Sequence, residues 1–267
     1  MHVLKLYSQF LSIYLKSRME YRFSFFMDIF IQFTTYGSTY MGIWIVLSKF
    51  KSIGGWSFYE VLFLYTLNLL SYGICSLFVW SPMRALEWMV QRGEFDGVLV
   101  KPMNPLVHLI FRQFNQHFLG HIILSAIVFS ICFQHLHIEW TVLNVCYFIL
   151  TIAGATFIQA ALLIISGAMS FWFVKSNSFT DTMIYGFRGF MDYPISIYSK
   201  WIQIFLTFVV PYGFVNFYPS QYFLGKEGEG LFHSWFRFGT PIIGIVLLVL
   251  SLFIWHKGVN RYQSTGS

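Results

Sequence analysis

Charge is scarce in this chain. Of its 267 residues only 10% are Asp, Glu, Lys or Arg, against 57% hydrophobic and 21% aromatic. A soluble domain carries about 25% charged residues, so this balance excludes one. Cysteine is nearly absent as well. Cys75, Cys132 and Cys146 are odd in number and fall in or beside apolar runs, so they define no disulfide framework and are expected to pack. The sequence also lacks the loops and clusters that carry common chemistries. Its only Gly-Lys pair, Gly225-Lys226, has neither the earlier glycine nor the following Ser/Thr of a phosphate loop, and there is no nucleophile elbow and no His-Glu-x-x-His. Hydrolysis of ATP by this chain is thereby excluded, and a non-catalytic chain without a cofactor of its own is expected. The first twenty residues show neither an unbroken apolar core nor a small-residue cleavage site, so no cleavable signal peptide is expected.

What is present is long and apolar. Six stretches, 24–48, 59–80, 113–133, 142–173, 201–216 and 239–255, approach the roughly 20 residues that a helix needs to cross a bilayer. With the N-terminus inside, the outer segments hold only Lys49, Lys51, Lys226 and Arg237 of the 17 basic residues, and the inner segments hold the other thirteen, Arg188 and Lys200 among them. That asymmetry follows the positive-inside rule. It predicts a multi-pass protein of a bacterial cytoplasmic (plasma) membrane with both termini in the cytoplasm. The net charge of +6 then faces anionic lipid and implies no nucleic-acid partner.

The expected fold class is an all-α polytopic membrane protein of six transmembrane helices. Residues 1–23 read as a cytoplasmic amphipathic helix, with Leu4, Tyr7, Leu11, Tyr14 and Leu15 opposite Lys5, Gln9, Ser12 and Lys16. It is too polar to span, and lies on the inner surface as a lipid anchor or a docking element. Residues 24–267 form one membrane domain. Its inner segment 81–112 is the most charged part, with Arg84, Glu87, Arg92, Glu94, Asp96, Lys101 and Arg112. Ser81-Pro82 suits a helix cap with proline in the first turn, and Gly93, Gly97, Pro102 and Pro105 break the segment beyond that short helix. A second inner segment, 174–200, carries Phe179, Met183, Phe187 and Phe190 at helical spacing before Pro194. On the outer side, Pro211, Gly213 and Pro219 interrupt an aromatic stretch before the polar 225–230 turn. Broken helix at membrane depth needs protein or a watery cavity around it. Residues 211–236 are therefore expected to form short re-entrant or interfacial helices. Residues 257–267 form a cytoplasmic tail.

Asp28 and Glu60 lie near the ends of spans, and the central turns of the six stretches hold no Asp, Glu, Lys or Arg. An ion-driven carrier or a selective channel is disfavoured on that ground. His117 and His121 stand one helical turn apart, and His135 and His137 lie at the outer end of the same stretch. With no third ligand at a recognisable spacing, they are expected to be interhelical or interfacial histidines, not a metal site.

The run from Gly93 to Pro105 (GEFDGVLVKPMNP) resembles the first cytoplasmic loop of type-2 ATP-binding cassette (ABC) permeases, in particular six-span subunits of roughly 260 residues. The Pro211…Pro219 region and the C-terminal Gly258-Val259-Asn260-Arg261-Tyr262-Gln263-Ser264 agree with that resemblance, which covers the whole chain in layout. It implies an exporter half, in which the N-terminal helix and a coupling segment within 81–97 dock on a cassette ATPase that binds ATP and Mg itself. Arg84, Glu87, Arg92, Gly93, Glu94 and Asp96 would form the coupling site, and Gly97, Lys101, Pro102, Pro105, Pro211, Pro219, Arg261 and Tyr262 would carry the structural motif. A second permease subunit, identical or similar, would complete the path for an amphipathic or hydrophobic substrate. The rival classes are a membrane scaffold that recruits a cytoplasmic factor and, less supported, a lipid-acting enzyme. Co-purification of a nucleotide-binding subunit separates a permease from a scaffold.

Overall fold

The computed structural model describes residues 22–173, 175–226 and 231–264. The expected surface helix at 2–20, residues 227–230 of the polar turn and the last three residues of the tail lie outside this set. The described chain is all-α. Eleven α-helices, α1 to α11, run Arg22–Phe50, Phe58–Phe78, Trp80–Gln91, Asp96–Leu99, Pro105–Arg112, Leu119–His135, Val142–Ala168, Ser176–Asp181, Lys200–Ile204, Phe217–Phe223 and Thr240–Arg261. Short 3-10 and π-helical turns join several of them.

Among the described residues four helical stretches are long and apolar enough to cross a membrane: α2, Gln116–His135 around α6, Val142–Phe171 around α7, and α11. Helix α1 is longer than α2, at about 43 Å for a rise of 1.5 Å per residue, but a hydroxyl band makes it less apolar. Within that band Thr34, Thr35 and Ser38 donate to carbonyls of their own helix, at 2.9, 2.8 and 2.6 Å, so the hydroxyls cost little where the helix faces lipid or protein.

Helix α2 defines two ends of the bundle. At one, the Ile53–Trp56 turn precedes Ser57, whose backbone N–H is accepted by Glu60 in a capping box at 2.7 Å. At the other, α3 leaves Phe78 almost without interruption. Val79 keeps the α conformation, and its N–H still reaches Cys75 O at 3.0 Å. Ser81 is therefore not the helix cap that its place before Pro82 predicts. Its Oγ accepts from Asn115 Nδ2 at 3.0 Å instead. Pro82, which has no N–H to give, falls in the first turn of α3, where none is required.

The segment 174–200 is not the inner connector expected from its charges. Ser176 and Asn177 donate to Glu87 on α3, at the Phe78 end, while Ile197 packs against Gly54 in the turn at the Ser57 end. Residues 176–197 thus run the length of the bundle through α8, a π-helical turn at Thr182–Gly186 and two 3-10 turns. This crossing replaces the expected span at 201–216. The next part of the chain, Lys200–Val209 and Tyr212–Phe223, bends by 80°. Asn216 Nδ2 donates to Met191 O at 2.8 Å inside the bundle, and Phe217 and Lys226 then return to Trp56 and Glu60 at the Ser57 end. It therefore enters and leaves by the same end, as the re-entrant reading of 211–236 requires. Its polar backbone is sheltered among buried Tyr212, Phe214, Phe217 and Tyr218. Six segments cross the bundle from end to end, in alternating direction: α1, α2, 116–135, 142–171, 176–197 and α11.

Packing is aromatic and close. Phe63 of α2 meets Phe129, Phe148 and Phe223 at ring distances of 5.4 to 6.3 Å. Gln159 of α7 ties to α2 through Ser71 Oγ at 2.7 Å. Where α7 and α11 cross, Gly244 lies so near Gly154 that an added Cβ would stand 2.5 Å from the Gly154 carbonyl oxygen. Small residues of this kind let membrane helices meet backbone to backbone. Gly244→Leu is expected to cost about 1–3 kcal/mol through overpacking and to lower the unfolding temperature in lipid nanodiscs. Gly42→Leu, where nothing lies within 4 Å of a Cβ, should leave that temperature unchanged.

Candidate functional site

The candidate site gathers at the Phe78 end, where three parts of the sequence converge. Helix α3 is amphipathic and lays Met83, Leu86 and Glu87 inward. Glu87 is buried, yet fully engaged: Asn177 N donates to it at 2.5 Å and Ser176 Oγ at 3.3 Å. It thereby supplies from another helix the acceptor and the negative charge that the N-terminus of α8 lacks. One turn earlier Arg84 pairs with Asp181 at 2.5 Å, and its carbonyl accepts from Asn177 Nδ2 at 3.2 Å. Arg84 and Glu87 were both expected on a docking surface. In the structure they tie α3 to the start of the 176–197 crossing, Glu87 from a buried position and Arg84 from a partly exposed one.

Helix α3 ends at Gln91 with Arg92 as its cap, and Gly93 takes φ +70°. That left-handed residue lets Phe95 N reach back to Met89 O at 3.1 Å and turns the chain sharply. Phe95 drops into a cage of Phe171, Tyr262 and Trp255, at 5.2, 5.1 and 6.4 Å between ring centres, and has no exposed surface. Asp96 accepts from Ser264 Oγ at 2.5 Å. The 93–105 motif and the 258–264 tail, separate in sequence, are thus two halves of one structure. Burial, together with the neighbouring Asp96 carboxylate, pushes the Tyr262 hydroxyl above its ordinary pKa, so it stays protonated. Beyond the cage, Asn104 accepts from Leu106 N and Val107 N at 3.0 and 3.4 Å, and Pro105 starts α5 without an N–H to waste. Gly93→Val is expected to cost about 1–2 kcal/mol, because an L side chain is strained at this φ. Circular dichroism with thermal unfolding checks it, with Gly97→Val as the comparison, since a Cβ at Gly97 meets nothing.

What remains outside is a mixed patch. Arg92 lies over the exposed Trp88 ring at 5.2 Å, and Glu94, Gly97, Leu99, Val100, Lys101 and Pro102 are exposed around it. Val100, 80% accessible, is an apolar side chain raised on a rigid base. Arg261, the last residue of α11, is exposed as well. Pro211 and Pro219 are not part of this site. They are buried in the re-entrant hairpin, which borders a cavity of about 460 Å³ lined by Phe208, Pro211, Phe214, Phe236 and Ile243.

The histidines do not come together. His117 Nδ1 faces Asp28 at 3.6 Å, His135 packs on Tyr59 at 4.1 Å, and His121 points into the bundle among Tyr36, Tyr72 and Phe118. Among the described residues no group of three His, Cys, Asp or Glu could hold a metal. The residue missed on the sequence alone is Arg188. With 176–197 as a crossing, a guanidinium stands midway along the bundle, contrary to the expectation that the central turns hold no ionisable group. It donates to Tyr36 Oη at 3.1 Å and lies 3.9 Å over the Tyr72 ring. The spacing of Phe179, Met183, Phe187 and Phe190 was the signal that could have found it.

Helices long and apolar enough to cross a membrane, a re-entrant hairpin before the last and a loop caged against the tail make this an all-α polytopic membrane protein. Residues 33–266 match the family described as ABC-2 family transporter protein, and the chain belongs to that family. It is a permease component of an ABC transporter. No curated protein and no solved structure matches the chain.

Proposed function

We propose that this chain is one half of the translocation path of an ABC exporter in a bacterial plasma membrane, with both termini cytoplasmic. A separate cassette ATPase supplies the energy and a second permease subunit, identical or similar, supplies the other half. The observation that carries this reading is the patch of Trp88, Arg92, Glu94, Leu99, Val100 and Lys101, apolar and mixed in charge, held at the Phe78 end by the Phe95 cage. A loop so rigidly based transmits force where a solvated loop would absorb it. ATP-driven closure of the cassettes would push α3. The Arg84–Asp181 and Glu87–Asn177 ties would carry that push into the 176–197 crossing and rock it as a rigid body. The aromatic bundle and the apolar cavity at the hairpin fit an amphipathic or hydrophobic substrate.

Mixed charge at a docking surface sets partner choice, and a like-charge contact there costs several kcal/mol. Glu94→Lys is therefore expected to weaken association with the cassette ATPase about tenfold or more while leaving folding intact. The test is co-purification of the ATPase and ATP-dependent substrate export, with Glu139→Lys, exposed at the opposite end, as the control. Equal assembly and export by both variants would remove the patch from the coupling role. A chain that captures a cytoplasmic protein with no nucleotide-binding fold would favour the scaffold reading.

A further inference from the structure

Among the described residues Arg188 is the one buried Lys or Arg, 9% accessible and midway along the bundle. A guanidinium carries five donors and stays charged at any physiological pH. Here one bond, to Tyr36 Oη, is made, and the Nη2 group has no partner. No carboxylate of the described residues comes within ion-pair distance. Asp192, one turn further on the same crossing, offsets part of the charge through space but does not come within ion-pair distance. The faces of Tyr72 and Tyr36, at 3.9 and 5.0 Å, offset part of the cost of burying the charge. Ring faces offer no lone pair to the unpartnered Nη2, so the cluster remains short of an acceptor.

The second observation is independent of the first. His121, on α6, is 1% accessible, and neither ring nitrogen has a partner. Its ring lies 4.1 Å from that of Tyr36 and 5.9 Å from that of Tyr72, the same two rings that flank Arg188. Two crossings, 176–197 and 116–135, thus turn unpartnered polar groups toward the same pair of rings, which α1 and α2 supply. The cover over this cluster is thin. Tyr185, Gly186 and Gly189 beside Arg188 are exposed, a Cβ at Gly189 would meet nothing, and the π-helical turn at Thr182–Gly186 ends two residues before Arg188. Such turns recur at functional sites.

We propose that Arg188, His121, Tyr36 and Tyr72 form a binding site for an anionic oxygen group, phosphate or carboxylate, carried by the transported molecule. Its oxygens supply the acceptors that the guanidinium lacks, and a neutral imidazole donates a further hydrogen bond. The aromatic rings around the site take the adjoining apolar part. The substrate class is accordingly an amphipathic anion. This deepens the permease reading and rests on it.

The test uses the full chain in phosphatidylcholine nanodiscs, titrated separately with dodecyl phosphate, dodecanoate, dodecanol, dodecyltrimethylammonium and inorganic phosphate. Dodecyl phosphate and dodecanoate should bind at least tenfold tighter than dodecanol or the cation, and Arg188→Gln should remove that preference. Arg188→Lys, which keeps the charge but loses the planar fork, should weaken dodecyl phosphate severalfold. Inorganic phosphate that binds with the same dependence on Arg188 supports the anion site and shows that the headgroup suffices. Should Arg188→Gln not fold, a second measurement decides. In a chain whose three native cysteines are alanine, a Gly189→Cys thiol should be labelled several times more slowly with dodecyl phosphate present than with dodecanol. Anion affinity no better than that of dodecanol, an unchanged preference in folded Arg188→Gln, or no protection at position 189 would overturn the proposal. Co-purification of the cassette ATPase is scored on the same preparations. If the ATPase is retained while anion binding is absent, this site fails and the permease reading stands. If the ATPase itself is not retained, the permease reading fails.

Discussion

Phe95→Ala is expected to loosen the entire Phe78 end of the bundle. The ring is fully buried between Phe171, Trp255 and Tyr262, which come from the end of α7, from α11 and from the tail. Truncating a buried Phe costs about 3–5 kcal/mol, a large share of the roughly 5–15 kcal/mol that holds a domain together. Because the ring fills the space between these three aromatics, its loss should also loosen Tyr262 and leave Ser264 held chiefly by Asp96. Two measurements report the change: a lower unfolding temperature by tryptophan fluorescence, with Trp255 as the local reporter, and faster labelling of a cysteine placed at Ser264. Phe95→Leu should recover most of the stability. Wild-type unfolding and labelling in Phe95→Ala would mean that the motif and the tail do not support each other.

Glu87→Lys should be the most damaging charge reversal in the molecule, although the sequence places Glu87 among docking charges whose reversal spares the fold. The carboxylate is buried against the first turn of α8, where it accepts from Asn177 N and Ser176 Oγ. A lysine there removes both acceptors, puts a cation against the positive end of a helix, and leaves Asn177 N and the new charge uncompensated. Breaking a buried charged contact from one side typically costs about 3–5 kcal/mol. Glu87→Gln keeps an acceptor and should lose only about 1 kcal/mol. The comparison is yield and thermal stability of Glu87→Lys, Glu87→Gln and Glu94→Lys in the same membranes. If Glu87→Lys is as stable as Glu94→Lys, the tie between α3 and the 176–197 crossing is not structural.

Much of this architecture is legible from residues alone. The apolar runs at 59–80, 113–133, 142–173 and 239–255 correspond to crossings because each is long, continuous and nearly free of charge. Asn104-Pro105 signals the start of α5 by its capping chemistry. The 176–197 crossing was not legible, because Asp181, Arg188 and Asp192 dilute its hydropathy and its helix is broken by a π turn and 3-10 turns. Lys200 was placed inside for the same reason and belongs at the Ser57 end. The hairpin at 200–223 took its place because Trp201 to Val210 is apolar, and only contacts such as Asn216 to Met191 show that it turns back. At the candidate site, Gly93 signalled the turn that follows α3. No pattern could show that Glu87 faces inward and Arg84 pairs with Asp181, since a helix of twelve residues presents its charges to whatever packs there. The partner of Phe95 lay 167 residues away in Tyr262, beyond the reach of any local signal.

The central claim is that the Phe78 end, at the patch around Glu94, is where a cassette ATPase meets this chain. Site-specific photo-crosslinking in intact membranes tests it most directly, with the reactive group placed in turn at Glu94, Val100 and, at the opposite end, Trp201, which is 81% exposed. The account predicts a crosslink from positions 94 and 100 to a nucleotide-binding chain, and none from position 201. A nucleotide-binding chain crosslinked from 201 and not from 94 or 100 would contradict it.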